Sequence, residues 1–278
     1  KELSKGNTLR PLTKEDIKND DPQMTEDLLK LLNEYRKASW LPNEPLGNYK
    51  GDELKIKQLD PKIVNKAPYK IPYAYQEELD KVLSDMLKEG IITKSKSSYN
   101  SPLIIVKKPD SSIRICIDFR ELNKVIEPVS YPLPKISELL NSLGQSSYMT
   151  TLDLAQAFHQ CSIKPADREK TAFTVRNTKY QYVRVPFGLQ SSPAFFARII
   201  NEVLYDVLGS NCLAYLDDLV IFSKTKEQHL STLRQVLGKL HDADIKLKIK
   251  KCHFFANSID FLGYKITKDG MTMTPDKA

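Results

Sequence analysis

The chain has 278 residues, enough for one large domain or two smaller ones with a real hydrophobic core. Apolar residues make up 41% and charged residues 28%, which excludes a disordered chain, and no apolar run is long enough to cross a bilayer as a helix. The formal net charge of +7 suits a polyanionic partner without requiring one.

Residues 1–22 are polar and read as loosely ordered. The chain starts Lys1-Glu2-Leu3-Ser4-Lys5, with no signal-peptide pattern and no initiating Met, which implies a piece of something longer. From Thr25 to Trp40 the positions Leu28, Leu29, Leu32 and Tyr35 have helical spacing, and Pro42 and Pro45 stop that helix. An extended stretch punctuated by Pro61, Pro68 and Pro72 follows. Gln76 to Glu89 is an amphipathic helix, with Leu79, Val82, Leu83, Met86 and Leu87 on one face and Gly90 as its end cap.

Pro102–Lys107 and Ile113–Phe119 read as strands joined by a tight turn at Pro109-Asp110-Ser111-Ser112. Tyr148–Leu154, Phe158–Ile163 and Tyr180–Val185 also read as strands, and Ser192–Val207 as a helix begun by Pro193. Cys212–Phe222 has apolar arms around an acidic pair, and Leu230, Leu233, Leu237 and Leu240 mark a further helix. Ile245, Leu247 and Ile249 alternate with Lys246, Lys248 and Lys250, the pattern of a strand with one basic face. Helices and strands mix without regular βαβ alternation, which argues an α+β fold with helices on one side of an antiparallel sheet.

Cys116, Cys161, Cys212 and Cys252 form no CxxC pair and no zinc knuckle. Three of them lie in apolar runs, where a cysteine is a small buried hydrophobe, and a reduced, intracellular compartment is expected. His159, His229, His241 and His253 show no metal-ligand spacing.

The chemistry is concentrated in Leu213-Ala214-Tyr215-Leu216-Asp217-Asp218-Leu219-Val220-Ile221-Phe222, two apolar strands flanking adjacent carboxylates. Adjacent carboxylates repel and are costly to bury, although a turn takes Asp for backbone reasons alone. Met149-Thr150-Thr151-Leu152-Asp153-Leu154 places a third carboxylate, Asp153, near the end of another apolar strand. If the strands are neighbours, the three acids converge, and a bound cation makes such a cluster tolerable. Hard divalent ions take carboxylates plus substrate phosphates, and two of them suit an in-line phosphoryl displacement. On spacing alone a polymerase and a two-metal nuclease stay open.

Tyr215-Leu216-Asp217-Asp218 resembles the YxDD motif of reverse transcriptases. Arg114–Lys124 resembles the family's fingers motif, Thr151–Gln160 its first palm motif, and Lys170–Val175 with Pro186–Phe195 its nucleotide-binding loop and helix. Phe261-Leu262-Gly263-Tyr264 resembles the primer grip. The five motifs occur in family order over residues 66 to 266. Phe187, where retroviral enzymes usually carry Gln, and Lys251-Cys252-His253-Phe254 are similar to gypsy-type LTR retrotransposons.

The resemblance implies a right-hand polymerase fold: an N-terminal extension (1–65), fingers (66–130 and 165–185), palm (131–164 and 186–268) and a thumb linker (269–278), with the thumb absent or only begun. It implies a reverse transcriptase copying RNA or DNA templates from a primer with deoxynucleoside triphosphates. Its cofactors would be two Mg²⁺ ions, with Mn²⁺ an alternative. Asp153, Asp217 and Asp218 would be catalytic, and the same acids with the Leu154 carbonyl would ligate the metals.

Lys108 and Arg114 would grip the triphosphate, with Lys107 an alternative to Lys108, and Lys251 would approach the leaving pyrophosphate. Phe158 would exclude a ribose 2′-hydroxyl or be an ordinary core residue. Gly188 and Gln190 would border the nucleotide. Asp118, Arg120, Tyr215, Phe261, Leu262 and Gly263 would touch template or primer, with a structural hydrogen-bonding role the alternative for Asp118. The resemblance also implies cytoplasmic, particle-associated or nuclear work as part of a longer polyprotein, away from membranes. A domesticated module that binds RNA or protein without catalysis is the rival. A nuclease would account for the acids but not for the fingers hairpin or the primer-grip segment.

Overall fold

A computed structural model describes residues 9–144 and 146–275. In chain order its strands and main helices begin with β1 (Lys18–Asn19), α1 (Thr25–Glu34), β2 (Ser39–Trp40), α2 (Gln76–Lys88), β3 (Ile92–Lys94), β4 (Leu103–Lys107) and β5 (Ile113–Ile117). There follow α3 (Arg120–Val125), α4 (Ile136–Leu143), β6 (Tyr148–Asp153), β7 (Phe173–Val175), β8 (Thr178–Tyr182) and α5 (Ser192–Val203). The chain continues through β9 (Cys212–Tyr215), β10 (Asp218–Ser223), α6 (Lys226–Ala243), β11 (Leu247–Lys248) and β12 (His253–Phe254). A meander of β13 (Ser258–Phe261), β14 (Tyr264–Thr267) and β15 (Gly270–Met273) completes it.

The chain divides into two compact units: residues 1–50, 132–156 and 197–278 form the first, and residues 51–131 and 157–196 the second. In the first, a five-stranded sheet has the order β1-β12-β6-β10-β9. It is antiparallel except for the β1–β12 pair. Strand β10 lies inside the sheet between β6 and β9, so it reads as a continuous apolar run: Leu219, Val220, Ile221 and Phe222 are all buried. Leu139, Leu140 and Leu143 of α4 share a core with Met149, Leu213, Val220 and Phe222 and with Ile259, Phe261 and Ile266 of the meander. The second unit holds the β4–β5 hairpin and a three-stranded sheet ordered β3-β8-β7.

Several expectations are corrected. The helix from Thr25 stops at Glu34, because Arg36 bonds the carbonyls of Arg10 and Ser39 and Ser39–Trp40 pairs in parallel with Leu247–Lys248. Residues 9–22 are tied down: Arg10 forks onto Asp16 with two 2.8 Å bonds, and β1 pairs with β12. Residues 1–8 lie outside the described residues. The expected strand from Phe158 is a 3-10 helix, Ala157–Gln160. The expected basic strand is only Leu247–Lys248, after which Ile249–Lys251 turns as a 3-10 helix. Lys246 is buried rather than on a solvated face, and burial pulls its ammonium pKa down.

Candidate active site

Strand β10 runs antiparallel to β6 with Asp218 opposite Asp153 and Val220 opposite Thr151. On its other side Asp218 pairs with Tyr215 of β9, so Leu216 and Asp217 form a two-residue turn. Leu216 has φ +55°. Primed hairpin turns require such a positive φ, at a cost of roughly 1–2 kcal/mol for a residue with a Cβ. The turn places Asp217 at the hairpin tip, Asp218 at the first position of β10, and Asp153 across from it at the last position of β6.

Burial raises the pKa of all three carboxylates. Burial lifts Asp217, helped by the charges of Asp218 and Asp153; burial and Asp153 lift Asp218. Asp153 is lifted by burial and partly restored by Lys248 and Lys251. The Asp217 and Asp218 side chains are reached by solvent at the hairpin tip. Among the described residues, no hydrogen bond to these carboxylates offsets the rise.

Among the described residues no three His, Cys, Asp or Glu side chains are gathered tightly enough to hold an ion by themselves. Mg²⁺ does not ask for such a cage: it keeps waters and takes one or two carboxylates together with substrate phosphates. Three mutually repelling, unpaired carboxylates fit that partial donor set. Leu154 is buried and pairs with Leu247.

A groove of about 380 Å³ opens beside the acids, lined in part by Asp153, Asp218, Lys251, Lys18 and Asp260. Lys251 thus lines the same groove as Asp153 and Asp218. Lys18 was not anticipated; it comes from β1, which reaches the site by pairing with β12.

In the other unit, Val106 faces Arg114 across the β4–β5 hairpin, and the Lys108 N–H donates to the Ser112 carbonyl at 2.7 Å. The pleat therefore continues to Lys108, which falls on the Arg114 face, while Lys107 falls on the opposite one. Asp118 is 9% exposed and accepts from Arg120 Nη2 and Tyr69 Oη, each at 2.8 Å. This partnership holds its carboxyl below the ordinary range. The structural role for Asp118 accounts for this geometry, and the Arg120 side chain stays largely exposed.

Gly188 has φ +94°, and an added Cβ would stand 3.2 Å from the Ile117 carbonyl, so backbone packing already explains the glycine. The Gln190 side chain donates to the Asn123 carbonyl at 3.0 Å. Phe158 is 8% exposed, its ring 4.9 Å from Phe187 and 5.8 Å from Phe196; Phe187 is 51% exposed.

In the meander, Phe261 is a core residue, with Tyr215, Leu262 and Tyr264 packed against the same core. Leu262 (φ +54°) and Gly263 (φ +82°) form the two-residue turn between Phe261 and Tyr264. Leu262 and Gly263 also border an open groove of about 800 Å³ with Lys265, Met273 and Thr274.

The reverse transcriptase (RNA-dependent DNA polymerase) family model matches residues 106–266. The chain belongs to the reverse transcriptase family. It is 41% identical over 214 residues to the retrovirus-related Pol polyprotein from transposon 297 of Drosophila melanogaster, covering 75% of this chain and 20% of that protein. It is 35% identical over 248 residues to that from transposon gypsy of the same species, covering 87% of this chain and 24% of the relative. The chain thus spans about a fifth to a quarter of these relatives.

Among solved structures, the foamy viral protease-reverse transcriptase in complex with an RNA/DNA hybrid superposes with a TM-score of 0.83 at 26% identity, over 92% of this chain and 34% of that one. The form described as dRH, in complex with double-stranded DNA, gives 0.84 over 92% and 45%. The α+β polymerase fold and the gypsy-type resemblance are both upheld.

Within this reverse transcriptase fold the sequence reading missed Cys252. Its buried thiol accepts from the Asp153 N–H at 3.4 Å and lies 3.8 Å from the Asp153 carbonyl. A cysteine inside an apolar run gives no signal of such a contact.

Proposed function

We propose that the chain is the fingers and palm of a template-directed DNA polymerase that adds deoxynucleotides to a primer 3′ end on RNA or DNA. The observation that carries this reading is the pairing of Asp218 with Asp153 beside Asp217 at the hairpin tip. On this reading the fingers (66–130 and 165–185) lie in the second unit, and most of the palm (131–164 and 186–268) lies in the first.

Asp153 and Asp217, with the Leu154 carbonyl, would hold two divalent cations, and Asp218 would stand beside them as the third carboxylate. When bound, the ions neutralise phosphate charge and favour ionisation of the primer hydroxyl. That hydroxyl attacks the α-phosphate, and pyrophosphate leaves. The side chains position and stabilise; no described residue has the setting of a dedicated general base. Lys108 and Arg114, on one face of the fingers hairpin, hold triphosphate oxygens, the Arg as a fork. Lys251 neutralises departing pyrophosphate. Phe158, backed by Phe187 and Phe196, is a wall against a 2′-hydroxyl. Gly188 and Gln190 border the nucleotide; Arg120, Tyr215 and the Leu262–Gly263 turn face template and primer.

The test is single-nucleotide addition by residues 1–278 to primed RNA and primed DNA with Mg²⁺ or Mn²⁺, against Asp217→Asn. Addition that is metal-dependent and lost in the variant is expected. Primed template bound without addition under either ion would favour a domesticated binding module instead.

A further inference from the structure

His229 is fully buried on α6, and both of its ring nitrogens meet hydroxyls from different strands. Nδ1 lies 2.7 Å from Ser223 Oγ of β10, and Nε2 lies 2.6 Å from Thr150 Oγ1 of β6. The neighbouring bonds assign the protons. The single Ser223 hydroxyl proton donates to the Thr225 carbonyl at 3.1 Å, so Ser223 Oγ accepts Nδ1–H. A neutral imidazole then leaves Nε2 to accept the Thr150 hydroxyl, whose oxygen also accepts the Phe255 N–H at 3.1 Å. Every donor in this chain has an acceptor, in one tautomer only. The rings of Phe255 and Tyr148 lie 4.8 and 6.4 Å away.

Thr150 and Ser223 belong to the strands that end in Asp153 and begin with Asp218. A one-residue slip of β6 against β10 would turn one hydroxyl to the opposite face, and a two-residue slip would carry it out of reach of the ring. We propose that His229 is a positioning residue: it fixes the β6–β10 register and so holds Asp153 opposite Asp218. The consequence for metal binding rests on the proposed role of those acids.

The experiment compares four forms of the 278-residue chain: wild type, His229→Leu, His229→Gln and, as a control for lost packing elsewhere on α6, Leu237→Ala. Two quantities are read, amide hydrogen exchange along β6 and β10 and Mn²⁺ affinity by electron paramagnetic resonance. His229→Leu is expected to speed exchange at Leu152 and Asp153 and weaken Mn²⁺ binding, each roughly tenfold, the size usual for losing a residue that orients metal ligands. His229→Gln can donate to Ser223 and accept from Thr150, so it is expected to restore most of both. Leu237→Ala is expected to change neither beyond what its global stability loss explains.

If His229→Leu behaves like Leu237→Ala in both readouts, the proposal is wrong. Should His229→Leu not fold, Ser223→Ala removes one of the two bonds and is measured in the same way. A wild-type chain that binds no Mn²⁺ would overturn the metal-holding role of the acids, while the exchange comparison still decides the register clamp.

Discussion

Asp218 sits directly across from Asp153 in the antiparallel ladder, at the point where one strand begins and the other ends. Burial of both, and the charge of Asp153 on Asp218, oppose folding. Asp218→Asn should therefore stabilise the metal-free protein by about 1 kcal/mol, a rise in Tm of roughly 2–4 °C. Thermal melts in a chelator check this; a fall in Tm would mean that the carboxylates are not in conflict.

Gly188→Ala should cost about 1–3 kcal/mol. The position needs φ +94°, and the new methyl would meet the Ile117 carbonyl at 3.2 Å. Urea unfolding of the two proteins measures the difference. Gly209→Ala separates the two causes, because its φ of +93° carries the backbone penalty with no neighbour within 4 Å.

Burial lowers the His229 pKa to about 4 from an ordinary 6.5. The unfolded chain therefore binds the extra proton first, and stability falls as pH drops from 6.5 towards 4. The loss at the bottom of that window is about 3 kcal/mol. His159, lowered to about 4 by burial and by Arg184, adds a similar slope. Asp16 and Asp118, held below the ordinary carboxyl range, lose their contributions only at still lower pH. Denaturant unfolding at pH 7 and pH 5 should show the decline in wild type and a shallower one in His229→Gln.

Arg36→Ala should destabilise the chain by roughly 3 kcal/mol. Its guanidinium pairs with Glu44 at 2.5 Å, with both side chains largely buried, and it also bonds the carbonyls of Arg10 and Ser39. Removing it strands the Glu44 charge. Double substitution with Glu44→Gln should recover part of the loss, as a double-mutant cycle would measure.

On the proposed role of Phe158, Phe158→Val should raise ribonucleotide incorporation, because valine replaces the ring that would wall off a 2′-hydroxyl. Competition between ribo- and deoxynucleotides in primer extension checks it; unchanged discrimination would return Phe158 to the core it shares with Phe196.

Long apolar patterns were legible in the sequence. The Gln76 helix ends at Lys88, two residues before its capping Gly90, and the fingers hairpin ends within two residues of expectation. The hairpin at Asp217 and Asp218 could be anticipated because two apolar arms flank charged residues that neither arm can bury. The Asp153–Asp218 register could not, because periodicity fixes which face a residue takes but not which strand lies beside it. Short elements also failed. Ser39–Trp40 is a strand only because Leu247–Lys248 lies alongside, so its helix-like spacing misled. Lys246 is buried by tertiary packing that no local alternation encodes. His229 carries no motif; its role exists only once Thr150 and Ser223 converge on it from strands far apart in sequence.

The most direct test of the central claim is a crystal structure of the chain with primed template, a non-hydrolysable deoxynucleoside triphosphate and Mn²⁺, read by anomalous scattering. The account predicts two peaks about 4 Å apart, bridging the triphosphate to Asp153 and Asp217 with Asp218 alongside. A bound nucleotide with no metal at these carboxylates, or with Asp153 turned away from Asp218, would contradict it.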